Sequence, residues 1–271
     1  MPERILIPEG AEARLIRDFH RRATADLDRR GKEAHTAFLR SSEMKSRAAT
    51  KLAASFGIKV RDAEEAIAGE RKRLRRYVRG AKPSRFRALK EHNPVRYAPY
   101  AFPWSYINCG GITYCSLYGP SAGSGQIGAD LAIFNGGGAS SGSAVGFWYY
   151  AQQSGTLYTT VQASVWGRGY VFSGLFGYAS AWAALRVYVQ RYSPFTTWSA
   201  SANIYNNWGV LEFDIHTFDW ETRTVSLAVP VVAGNWYAIW GAAYQSAYAG
   251  GVADSVSNFD LYVGPVSYFL V

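Results

Sequence analysis

The sequence predicts a chain made of two unlike segments: a basic helical region over residues 1–96, then an antiparallel β-sandwich of jelly-roll type over residues 97–271. Three observations lead there. Residues 1–96 hold 25 of the 29 Lys and Arg against 13 acids, a net of +12, while residues 97–271 hold four Arg, no Lys and seven acids, a net of −3. Apolar residues recur every three or four positions in the first segment and every second position in the second. All nine Trp and 22 of the 27 Gly lie after residue 96.

Residues 11–80 contain no Pro and are rich in Ala, Arg, Glu, Lys and Leu, all good helix formers. Apolar stripes run through Leu15, Phe19, Ala23 and Leu27, then Met44, Ala48, Leu52 and Phe56, then Val60, Ala63, Ile67, Leu74 and Val78. Gly31 and Gly57 separate the stripes, so three helices are expected, near 11–30, 33–56 and 60–79. Each stripe is narrow and needs a partner surface: another helix, the β-domain or a second copy of the chain. The run Leu52 to Ile58 has the small-residue and glycine pattern of a helix-turn-helix. The helix after it carries Asp62, Glu64 and Glu65, which suit phosphates poorly, so the run reads first as a helix ended by a glycine cap.

The end of this segment is strongly cationic. Residues 71–96 hold 11 Lys or Arg against the single acid Glu91. Arg71, Lys72, Arg73, Arg75, Arg76 and Arg79 fill a helix end, and Lys82, Arg85 and Arg87 continue beyond it. Such a run repels itself unless an anionic partner offsets it, which points to a polyanion or an acidic protein surface. A solvated face is the simpler alternative.

Beyond the aromatic and Pro-containing junction YAPYAFPWSY, alternation takes over. Leu157 to Trp166, Ala181 to Gln190, Thr224 to Val229, Trp236 to Trp240 and Phe259 to Val263 each read as a strand, with Gly, Asn, Ser and Pro between them. About eight strands are expected. The face opposite the aliphatic residues is unusual: it carries Tyr158, Trp166, Trp182, Tyr188, Trp236, Trp240 and Tyr262, with Tyr244 close by. There are 37 aromatics in residues 97–271 and no Lys. A surface of that kind is adhesive, so it must be covered by the helical segment, by other subunits or by a ligand. The Gly-Ser-rich stretch over 119–143 is expected to form loops around a short strand, Leu131 to Phe134. It lacks the Lys of a phosphate loop.

Cys109 and Cys115 read either as two small buried thiols or as a disulfide clipping a local loop. They do not make a metal site on their own. One constellation has catalytic potential: Glu212, Asp214 and His216 in LEFDIHTFDWE share one face if the run is a strand, with Leu211, Phe213 and Ile215 pointing to the core. They read first as the polar face of a strand. No metal or cofactor is expected, and the chain is not expected to be an enzyme.

The leading expectation is a self-assembling structural protein, a homo-oligomer or particle component whose sandwiches pack through aromatic faces. The alternative is a carbohydrate-binding sandwich on a helical anchor, with exposed Trp and Tyr as the sugar platform. A hydrolase centred on Glu212, Asp214 and His216 is the third reading. No run is long and apolar enough for a transmembrane helix. Met1-Pro2-Glu3-Arg4 does not open a secretory leader, which favours cytoplasmic or particle-associated assembly.

Overall fold

The computed structural model describes residues 10–55, 98–174, 177–209, 213–251 and 253–271. Among these are one helix, α1 (Ala11–Ser55), and eight strands: β1 (Phe102–Leu117), β2 (Gln126–Ala151), β3 (Gly155–Ser173), β4 (Tyr178–Arg191), β5 (Thr196–Gly209), β6 (Phe213–Val231), β7 (Asn235–Gly250) and β8 (Ala253–Leu270). The helix expected over 60–79 and the cationic run over 71–96 lie outside the described residues.

Two expectations are corrected. The helices expected over 11–30 and 33–56 are one continuous helix of 45 residues that runs through Gly31. A glycine in a helix interior costs about 1 kcal/mol, too little to break a Pro-free run of strong helix formers. The Gly-Ser-rich stretch is largely strand: residues 126–143 belong to β2.

The strands form an antiparallel β-sandwich in which β2 serves both sheets. Its first half, Gln126 to Phe134, pairs with β8, and its second half, Gly137 to Ala151, pairs with β7. Gly136 and Gly137, at φ 137° and 126°, make the corner between the halves, a conformation that side chains resist. Sheet one is therefore β6-β3-β8 with the start of β2, and sheet two is β5-β4-β7 with its end. β1 runs beside β2 across both. Between the sheets lies an apolar core that includes Ile127, Leu131, Val145, Phe147, Val161, Leu185, Ile239 and Phe259.

α1 lies on the outer face of sheet two, where Leu15, Phe19, Ala23 and Leu27 are buried against Phe102, Trp104, Ala144, Tyr188, Trp240 and Tyr244. Phe19 stacks on Trp240 at 4.4 Å and meets Trp104 and Tyr188 edge-on. Small residues make room beneath. A Cβ on Gly142 would come within 2.8 Å of Trp104, and one on Gly146 within 2.4 Å of Phe102. The Trp104 indole donates to His20 Nδ1 at 3.2 Å. Arg186 forms a close ion pair with Asp26 and lies 4.6 Å from the Tyr244 ring.

Candidate functional site

The outward aromatics of the sequence fall into two groups. Tyr188, Trp240 and Tyr244 are buried beneath α1, so they serve a contact within the chain and cannot act as a sugar platform. The reason is the helix itself, whose first stripe matches this face. Trp182 is half-buried at its margin, its indole donating to Asn203 Oδ1 at 3.1 Å. Trp236 packs with Trp148 and Tyr150 on the same sheet.

Sheet one carries the remaining three. On β3, Leu157, Val161, Ala163 and Val165 are core residues, so Tyr158, Thr160, Gln162, Ser164 and Trp166 face outward. The register then sets Trp166 opposite Asp260, and Asp260 opposite Gly128. Trp166 lies 6.5 Å from Trp220, and Trp220 lies 5.6 Å from Tyr262. Trp220 does not reach this place by ordinary alternation. The β3–β6 ladder shifts register between Val165 and Gly167, and Trp220 adopts φ 55°, the only described non-glycine residue with positive φ. A left-handed conformation at a bulky residue costs on the order of 1–3 kcal/mol, and a bulge of this kind re-aims a side chain.

Beside these rings lies a buried polar floor. The Gln126 amide donates to both oxygens of Asp260 at 3.0 Å. The Tyr118 hydroxyl donates to Asn258 Oδ1 at 2.8 Å, and Asn258 hydrogen-bonds Asp130. Arg168 stands opposite Asn258 on β3. Burial pushes Asp260 up to about 6, with Gln126 opposing. Burial also pushes Asp130 up to about 6, against the Arg168 charge and the Asn258 hydrogen bond. Rim groups Trp166, Trp220, Tyr262, Gln126 and Tyr118 are half-buried, while Asp260, Asn258 and Arg168 are buried. Aromatic planes around a floor of fixed donors and acceptors suit a ligand with apolar C–H faces and many hydroxyls.

The Asp260 carboxyl has a measurable signature. With its folded value raised, the folded state keeps a proton between about pH 4 and pH 6 that the unfolded chain gives up. Its stabilising contribution is present below about pH 4 and lost as pH rises through about 6. Asp260→Asn is therefore expected to match wild type in melting temperature near pH 4 and to exceed it increasingly up to about pH 7. A difference that stays flat across that range would show that burial does not penalise the carboxylate.

No protein-family model matches the chain, and no curated protein matches it. Among solved structures, it is similar to TmCBM61 in complex with β-1,4-galactotriose, at 9% identity and a TM-score of 0.23, over 59% of this chain and 88% of that one. A structure described as CBM4 structure and function matches at 13% identity and a TM-score of 0.24, over 62% and 86%. The enzymatically active domain of tailspike protein 4 of bacteriophage CBA120 matches at 10% and 0.24, over 59% of this chain and 19% of that one.

The acid and imidazole pair of LEFDIHTFDWE is placed differently from expectation. Glu212 lies outside the described residues. Asp214 and His216 stand opposite Val171 and Gly169, on the side of β6 turned toward the other sheet, and Phe213, expected in the core, is 54% exposed. Edge strand β6 leaves that side open enough for polar groups. Asp214 accepts from the Tyr205 hydroxyl at 2.6 Å, and the exposed His216 ring packs 4.5 Å from Phe218. Among the described residues, no three His, Cys, Asp or Glu gather as metal ligands. Cys109 and Cys115 are joined as a disulfide on β1, across the register shift between Gly111 and Thr113. Cys109 is exposed, so of the two sequence readings the clip is the one seen.

Sequence reasoning missed Tyr118, Gln126, Asp130, Arg168, Trp220, Asn258 and Asp260. They come from four strands and one connection, and only the ladder brings them together. A faint signal existed: Asp130 in GADLAIF and Asp260 in NFDLYV are lone charges inside otherwise apolar strands.

Proposed function

We propose that the outer face of sheet one binds saccharide, and that the chain is a carbohydrate-binding β-sandwich carried with a helical N-terminal segment. The observation that carries this reading is Trp220. Its backbone strain has no evident use in packing the core, and it sets a third ring beside Trp166 and Tyr262 at the rim of a polar floor. The strand order, β6-β3-β8-β2 facing β5-β4-β7-β2, supports the jelly-roll form of the sandwich. The site is read as binding rather than catalytic because both Asp260 oxygens are already engaged by Gln126.

The aromatic face that motivated a self-assembly reading is largely occupied by α1, so adhesion through that face is not needed to explain the composition.

Calorimetric titration of neutral oligosaccharides and polysaccharides tests the proposal. Trp166→Ala and Trp220→Ala should each weaken binding by about 30-fold, the scale of a central aromatic contact. The reading fails if no saccharide binds, or if binding is indifferent to both substitutions while circular dichroism shows the sandwich intact.

A further inference from the structure

The same outer face holds a second aromatic platform. Tyr158 and Phe269 stand opposite one another on β3 and β8, stacked at 5.0 Å with planes 9° apart. They are 42% and 59% exposed, an unusual outlay of large apolar surface. Tyr158 and Trp166 are eight residues apart on one strand, both facing outward, so the platforms are separated by roughly 26 Å along β3.

The surface between them is polar and, among the described residues, carries no charge. Thr160, Gln162 and Ser164 face outward from β3, and the register sets Ser226, Thr224 and Thr222 beside them on β6. Thr160 and Ser226 share a hydrogen bond at 2.9 Å. The two charges on this part of β6, Glu221 and Arg223, stand opposite the inward-facing Val165 and Ala163 and bond to each other at 2.8 Å. Hydroxyl and amide groups can exchange hydrogen bonds with sugar hydroxyls, whereas a phosphate, sulfate or carboxylate polymer would find no cation among the described residues between the two platforms.

Resting on the saccharide reading above, we infer that sheet one binds a linear, neutral polysaccharide laid along β3, held at one end by Trp166, Trp220 and Tyr262 and at the other by Tyr158 and Phe269. A single sugar reaches only one platform. A chain of several residues reaches both and gains the second contact without a second association cost.

Chain-length dependence tests this. Linear neutral gluco-, xylo- and galacto-oligosaccharides, from disaccharide to hexasaccharide, are titrated into wild type, Tyr158→Ala and Phe269→Ala. In wild type the hexasaccharide of the preferred series should bind about tenfold or more tighter than the disaccharide, as one extra aromatic contact of about 1.4 kcal/mol provides. In either variant that ratio should fall close to one. Both side chains are exposed, so folding is not at stake, and near-ultraviolet circular dichroism checks it. A wild-type ratio near one, with binding still dependent on Trp166, overturns the extended path while leaving the saccharide reading standing. A ratio unchanged in both variants overturns it as well. No binding by any member of the three series removes both proposals.

Discussion

Replacing Phe19 by Ala is expected to cost about 3–5 kcal/mol, the range for truncating a buried Phe. Phe19 is 1% exposed and touches three aromatic rings of sheet two. Its loss opens a cavity whose walls, Trp104, Tyr188 and Trp240, are held in place by their own strands and cannot collapse to fill it. The expected outcome is a lower melting temperature with increased binding of a hydrophobic dye, because a loosened α1 uncovers an aromatic surface that has no Lys around it. Arg21→Ala makes a suitable reference. That side chain is 77% exposed and pairs with Asp18 on the helix surface, so its removal should change stability by about 1 kcal/mol or less. Equal effects from the two substitutions would mean that α1 does not depend on this stripe for its position.

The second large effect is expected at Asp26. Its partner Arg186 has only 5% of its side chain exposed and reaches Asp26 from beneath the helix. Arg186 also donates to the Tyr188 hydroxyl at 2.9 Å, but that contact does not neutralise its charge. Asp26→Ala strands a guanidinium in a buried place, a loss of about 3–5 kcal/mol. Arg186→Met should cost less, because Asp26 keeps Arg29 at 2.5 Å and has water on one side. The double variant Asp26→Ala, Arg186→Met should recover much of the single Asp26→Ala loss, since a buried ion pair replaced as a unit is often close to neutral. Denaturant melts of the four proteins measure this. Strictly additive losses would show that the two charges do not interact.

The sequence stripe Leu15, Phe19, Ala23 and Leu27 is the set of residues that α1 buries, and the need to cover the aromatic face was readable from Trp240, Tyr244 and Tyr188. Both follow from periodicity, which needs no knowledge of partners. The strands at 157–166 and 181–190 were legible for the same reason. β1 and most of β2 were not, because Gly and Ser at 136–143 carry no hydrophobic signal. Glycines that clear space for Trp104 and Phe102 look, in the sequence, like loop glycines. The proposed saccharide site was half legible. Trp166, Tyr262 and Tyr158 stood out by alternation. Asp130, Asn258 and Asp260 become neighbours of Trp166 only through strand register, and Trp220 depends on a bulge that no spacing rule announces. The reversed orientation of Phe213 has the same origin, since alternation tells which residues share a face but not which face is inside.

α1 rests on the outside of sheet two, and the proposed sugar path runs along the outside of sheet one, with a core about 10 Å deep between them. On the proposed reading the molecule is a plate with a helix-bearing side and a binding side. A polymer bound as proposed would lie on the face opposite the one where Leu15, Phe19, Ala23 and Leu27 are buried. The two faces are tied together by the backbones of β1 and β2, the strands that turn the corner and belong to both, and across the core by Gln245, Ser255 and Ser257, which donate to Phe259, Ser180 and Trp182 carbonyls.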